Sequence, residues 1–160
     1  MTSKLFSLAL AGSAVLGLSL NAAAGLQTPS SLLVYPCYDN TRGTDTLITV
    51  TNTNLDQVTG TVDVEFVYIN GDTCLETNRT RRLTPQDTLS LFAKNDNPNA
   101  VQGYVYVFAK SRTTGQAIVH NALIGQALVI DGLDVVNYAF NPYAIRGVGE
   151  EGEATDRDGD

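Results

Sequence analysis

The chain of 160 residues has no tryptophan, one histidine, two cysteines and, past its first two dozen residues, no long apolar run. Each scarcity removes something. A membrane-spanning helix needs about 20 consecutive apolar residues, so nothing beyond the N-terminus is expected to insert in a bilayer. His120 would have to serve any Ser-His-Asp triad, and no Gly-x-Ser-x-Gly elbow occurs to supply its nucleophile. Two widely spaced cysteines and one histidine make a poor ligand set for zinc or redox chemistry. Positive charge is also scarce, ten Lys and Arg against seventeen Asp and Glu for a net charge of −7. DNA and RNA binding rests on neutralising phosphates, so no nucleic-acid partner is expected.

What is present begins with an export signal. Lys4 supplies a positive start, Leu5 to Leu20 is an apolar run diluted by small residues, and Asn21-Ala-Ala-Ala-Gly25 offers an Ala-x-Ala cleavage site. Cleavage after Ala24 divides the chain into a signal peptide (1–24), a domain (25–146) and an acidic tail (147–160). No cysteine follows the apolar run, so a lipoprotein-type anchor is excluded. The expected location is secreted or periplasmic, in the cell envelope. In that oxidising setting Cys37 and Cys74 are expected to form a disulfide, worth about 3–4 kcal/mol in the chain-entropy account. The domain carries eleven acids against eight bases, whereas the tail carries six against Arg157 alone. With Val148 its only sizeable aliphatic, the tail is expected to be disordered.

The domain reads as strand after strand. Thr46 to Asn52 is β-branched and alternating; Thr61 to Ile69 puts Val62, Val64, Phe66 and Tyr68 on one face and Asp63 and Glu65 on the other. Asn70-Gly71 predicts a tight hairpin to a returning strand that bears Cys74. In Gln102 to Lys110, Tyr104, Tyr106 and Phe108 oppose Val105, Val107 and Ala109, and a strand apolar on both faces belongs in the middle of a sheet. Further strands are expected at 32–35, 88–92, 116–120, 122–130 and 135–140. Seven to nine short strands at this spacing predict an all-β, antiparallel sandwich, with a closed barrel as the rival.

Two segments carry a resemblance. Leu47-Ile-Thr-Val-Thr-Asn-Thr-Asn54 resembles an early strand of bacterial immunoglobulin-like modules. Leu83-Thr-Pro-Gln-Asp-Thr-Leu-Ser-Leu91 is similar to their Leu-x-Pro-Gly-Asp-Thr corner, with Gln86 where glycine is usual. Pro85 presets φ for a turn there, and Asp87 caps it. The resemblance implies an immunoglobulin-like sandwich acting in adhesion, presentation or scaffolding, and no catalytic residue.

Candidate chemistry is thin. Asp63 and Glu65 project from one strand face, about 7 Å apart, a spacing wider than the pair of a retaining glycoside hydrolase; a solvated face is the simpler account. Arg79, Arg81 and Arg82 read as an edge-strand guard against aggregation. Asp156-Arg-Asp-Gly-Asp160 resembles the opening of a thrombospondin-type or dockerin-type calcium repeat. Asp156, Asp158 and Asp160 are the candidate ligands, without the later acid that would close the site. Calcium is therefore the one cofactor entertained, and none is required. Asn78-Arg-Thr80 would be glycosylated only on a eukaryotic route. The leading expectation is a non-enzymatic binding or structural module whose partner is a protein or glycan at the cell surface. The second is a carbohydrate-binding jelly roll with Tyr35, Tyr38 or Tyr143 as platforms, which the lack of tryptophan weakens; a glycoside hydrolase comes third.

Overall fold

The computed structural model describes residues 27–132 and 137–155. The expected signal peptide and the aspartates Asp156, Asp158 and Asp160 lie outside the described residues. Nine strands and one short helix follow in order: β1 (Leu32–Asp39), β2 (Thr44–Asn52), β3 (Val62–Asn70), β4 (Glu76–Leu83), β5 (Thr88–Phe92), α1 (Ala93–Asp96), β6 (Gln102–Lys110), β7 (Leu123–Asp131), β8 (Asn137–Phe140) and β9 (Tyr143–Ile145). They form two antiparallel sheets, one of five strands ordered β4-β3-β6-β1-β9 and one of four ordered β5-β2-β7-β8. The all-β sandwich is thus the observed fold.

The alternation in the sequence decides which side chains meet. In β3, Val62, Val64, Phe66 and Tyr68 turn inward, joined from β6 by Val105, Val107 and Ala109 and from the facing sheet by Ile48, Val50, Leu123 and Ala127. Each large apolar side chain buried this way contributes about 1.5–3 kcal/mol. β6 is the middle strand of its sheet and is apolar on both faces. Its other set, Tyr106 and Phe108, packs with Leu32, Val34, Val67 and Ile69 in a second, outer cluster. Tyr35 crosses between the layers, its hydroxyl donating to Thr49 O at 2.8 Å. Gly125 leaves room for it: a Cβ there would lie 2.0 Å from the Tyr35 hydroxyl.

Several expectations are corrected. β1 does not stop at Pro36 but continues to Asp39, with a register shift between Tyr35 and Tyr38. The β3–β4 connection is wider than a two-residue hairpin. Asn70 pairs with Leu75, its Oδ1 accepts the Asp72 and Thr73 N–H groups, and Cys74 rather than Gly71 takes positive φ. Residues 116–120 make only isolated bridges, from Ala117 to Lys110 and from Ile118 to Ala154.

The first nine residues of the acidic tail, 147–155, meet the domain through backbone bonds. Val119 N donates to Glu153 O at 2.8 Å, Gly152 N to Val119 O at 2.8 Å and Thr155 N to Ala117 O at 2.9 Å. Backbone bonds hold what side-chain burial alone would not. The expected disulfide is absent as well, because Cys37 and Cys74 are both free thiols. Cys37 lies on β1, and β6 separates that strand from β3, beyond whose end the Cys74 turn lies. Two strand spacings of about 4.8 Å each already exceed the roughly 7 Å Cα separation that a disulfide tolerates.

Candidate binding cleft

One end of the sandwich gathers the second half of β1, the start of β6, the β3–β4 turn and β8. β9 pairs with β1 only over Leu32, Leu33 and Val34, so Tyr35 to Asp39 run on past it. In that stretch three steps along β1, Tyr35 to Tyr38, match two along β6, Val105 to Gly103. The extra residue is a bulge, and bulges re-aim side chains. Here Tyr35 and Tyr38 both point inward, while Pro36, which has no N–H to offer a neighbouring strand, is exposed. Gly103 lets the floor form, since a Cβ there would lie 1.8 Å from Ile69 O and 2.9 Å from the Tyr38 ring.

The result is a cleft of about 400 Å³. Its walls are Pro36, Cys37, Asp39, Gln102, Tyr104 and Tyr138, above a floor of Tyr38, Gly71 and Gly103. Tyr104 is 42 % exposed and Tyr138 48 %. The floor is rigid: the Tyr38 hydroxyl accepts from Asn97 Nδ2 at 3.1 Å and donates to Ile69 O at 3.3 Å, and its ring meets Tyr68 edge-on at 5.8 Å. Asp39 is fixed by its own backbone, with N donating to Thr46 Oγ1 and Oδ1 accepting from Thr41 N, both at 2.8 Å. Partial burial, the Cys37 thiol and the Asp39 carboxylate together raise the Tyr138 phenol above its ordinary range. Among the described residues, no Lys, Arg or His lines this cleft.

The structure sorts the candidates read from the sequence. Tyr35 and Tyr38 are 0 % and 1 % exposed and cannot be contact platforms, a correction the bulge explains; Tyr143 is exposed but lies on β9, outside the cleft walls. Asp63 pairs with Arg82 at 2.9 Å, and Glu65 accepts from Lys110 at 2.9 Å and Thr80 at 2.6 Å. Each carboxylate already serves a neighbouring strand. Arg81 bridges to Asp96 at 2.6 Å, which ties α1 to β4, and Arg79 turns back to Asn78 O.

His120 sits at the opposite end of the sandwich, buried, beside a second polar cleft of about 330 Å³ that Lys110, Arg112 and Glu151 also line. Asn52 fixes one side of its ring. The Asn52 amide nitrogen donates to Gly60 O at 2.8 Å and Thr84 O at 3.2 Å, so its Oδ1 faces His120 Nε2 at 3.0 Å as an acceptor. The other ring nitrogen, Nδ1, contacts the Glu151 carboxylate. Both nitrogens are engaged, so neither is placed to take a proton from a nucleophile. Among the described residues no three His, Cys, Asp or Glu side chains come together as a metal site, and no helix is long and apolar enough to cross a membrane.

Sequence reasoning missed Tyr138 and the grouping of Asp39, Gln102 and Tyr104. The alternation that set Tyr104 opposite Val105 did place its ring away from the core, but nothing local joins it to β8. Fold and cleft together define a class, an all-β sandwich of two antiparallel sheets with an aromatic-walled cleft at one end. No family model matches the chain. No curated protein matches it either. Among solved structures, the crystal structure of Thermotoga maritima 1070 is similar, with a TM-score of 0.54 over 79 % of this chain and 100 % of that one at 13 % sequence identity. At that identity the likeness concerns the fold alone.

Proposed function

We propose that this protein is an exported, non-enzymatic binding or structural module of the cell envelope or extracellular space, working in adhesion, scaffolding or matrix. The observation that carries the reading is the cleft: two half-exposed tyrosines facing polar side chains over a rigid floor. Large rings with a polar tip favour contact surfaces. The engagement of Asp63, Glu65 and His120 in structural contacts supports a binding role over a hydrolytic one. The immunoglobulin-like type belongs to the same proposal. β2 pairs with β5 and β3 with β6, as the B–E and C–F strands of that sandwich do, although β1 lies beside β6 and β7 beside β2.

The test is retention of culture-supernatant and cell-wall components on the immobilised protein, beside the double variant Tyr104→Ala, Tyr138→Ala. Retention by the wild type that the double variant loses supports the proposal. Failure of the wild type to retain any component overturns it.

A further inference from the structure

We infer that the cleft between Tyr104 and Tyr138 binds a neutral saccharide of one or two pyranose rings; this rests on the binding-module reading and names its ligand class. A pyranose presents an apolar C–H face and a rim of hydroxyls that both donate and accept. A site for it needs exposed aromatic faces, planar polar groups beside them and little positive charge.

The cleft supplies each. Tyr104 and Tyr138 keep 42 % and 48 % of their surface open, and both rings line the same cavity. Gln102, on the same wall, brings two N–H donors and a carbonyl acceptor. Its backbone is pinned, Gly71 N donating to Gln102 O at 2.9 Å. Asp39 spends Oδ1 on Thr41 N, and its Oδ2 makes no hydrogen bond among the described residues. A carboxylate oxygen of this kind accepts from a sugar hydroxyl. The cavity, about 400 Å³, falls at the small end of small-molecule sites.

Charge selects among sugars. Among the described residues no cation lines the cleft and one carboxylate does, so uronic acids, sialic acids and sugar phosphates meet repulsion without a partner. A lone carboxylate is likewise too few oxygens for calcium, which takes six to eight. That leaves neutral sugars. Cys37 lies on the wall as a half-buried free thiol, while Cys74 is exposed and outside the cleft. The first reports occupancy and the second serves as its internal control.

The experiment is an amide-resolved NMR titration of the protein with methyl glucoside, methyl galactoside, N-acetylglucosamine, cellobiose and glucuronate. A ligand of about a dozen heavy atoms in such a site binds with a Kd of about 1 mM. At least one neutral sugar is expected to shift the Gln102 and Gly103 amides saturably at that level. Tyr104→Ala and Tyr138→Ala should each weaken it at least about tenfold, Tyr143→Ala should leave it unchanged, and the same sugar should slow alkylation of Cys37 but not of Cys74. The wild-type alkylation result needs no variant to fold. The inference is overturned if no neutral sugar shifts these amides by about 50 mM, if glucuronate alone does so, or if binding ignores both tyrosines. Should saccharides fail while the double variant still loses an envelope component, the ligand class falls and the binding module stands; if both fail, both fall.

Discussion

Gln86 occupies the place where a corner of the Leu-x-Pro-Gly-Asp-Thr kind carries glycine, and its φ is +62°, the left-handed region that side chains resist at about 1 kcal/mol or more. Pro85 and Asp87 do the rest, with Asp87 N donating to Thr84 O at 3.1 Å. Gln86→Gly is therefore expected to stabilise the fold by about 1 kcal/mol in urea denaturation, and a loss of stability would contradict the turn geometry. Tyr35 and Tyr38 are less legible. Three positions apart, they would face opposite ways in a regular strand, and only the bulge at Pro36 and Cys37 turns both inward. Burial drives the Tyr35 phenol well above its ordinary range, and burial with the Asp96 carboxylate does the same for Tyr68. Unfolded tyrosine releases its proton near pH 10 while these two keep theirs when folded, so the folded form holds more protons and stability falls as pH rises past that point. Absorbance at the phenolate band should show Tyr35 and Tyr68 ionising only as the protein unfolds; their ionisation with the fold intact would refute their burial.

Among elements, β6 is fully legible, because a strand apolar on both faces has few places to go but the centre of a sheet. β9 is not, since three residues after Pro142 carry no periodic signal and gain a partner only when β1 is beside them. The contacts of the acidic segment are illegible for a related reason. Composition measures what side chains can bury, and residues 147–155 bury little, yet Asn121 brackets Gly147 through both of its amide atoms and Val119 exchanges backbone bonds with Gly152 and Glu153. The Glu151 contact to His120 closes this strap over residues 117–121. Replacing Glu151 by Gln removes the charge from that hydrogen bond, which is worth about 1.5–3 kcal/mol when one partner is ionised. Hydrogen exchange at the Val119 and Gly152 amides should accelerate about tenfold or more, with β3 and β6 unaffected. Unchanged exchange at those two amides would mean the backbone bonds suffice without the side-chain contact.

The whole molecule combines a core that alternation foretold with a cleft that no single segment announces. Asp39, Gln102, Tyr104 and Tyr138 come from three strands of two sheets. They meet because the chain crosses between layers at Asn141 and Pro142 and because Gly103 lets β1, β3 and β6 close up beneath them. That crossing depends on sheet order, which hydrophobic periodicity does not encode. The opposite sheet presents a different surface, where Thr49 and Ser90 pair at 3.0 Å and Thr51 and Thr88 at 2.8 Å; these hydroxyls satisfy one another across β2 and β5. The contact surface proposed above is the cleft and not this face. Site-specific photo-crosslinking separates the two, with a benzophenone side chain installed in place of Tyr104 in one protein and of Thr49 in another, each exposed to the native envelope fraction. Adducts from position 104 and none from position 49 are expected; adducts of equal yield from both, or from position 49 alone, would contradict a binding role for the cleft.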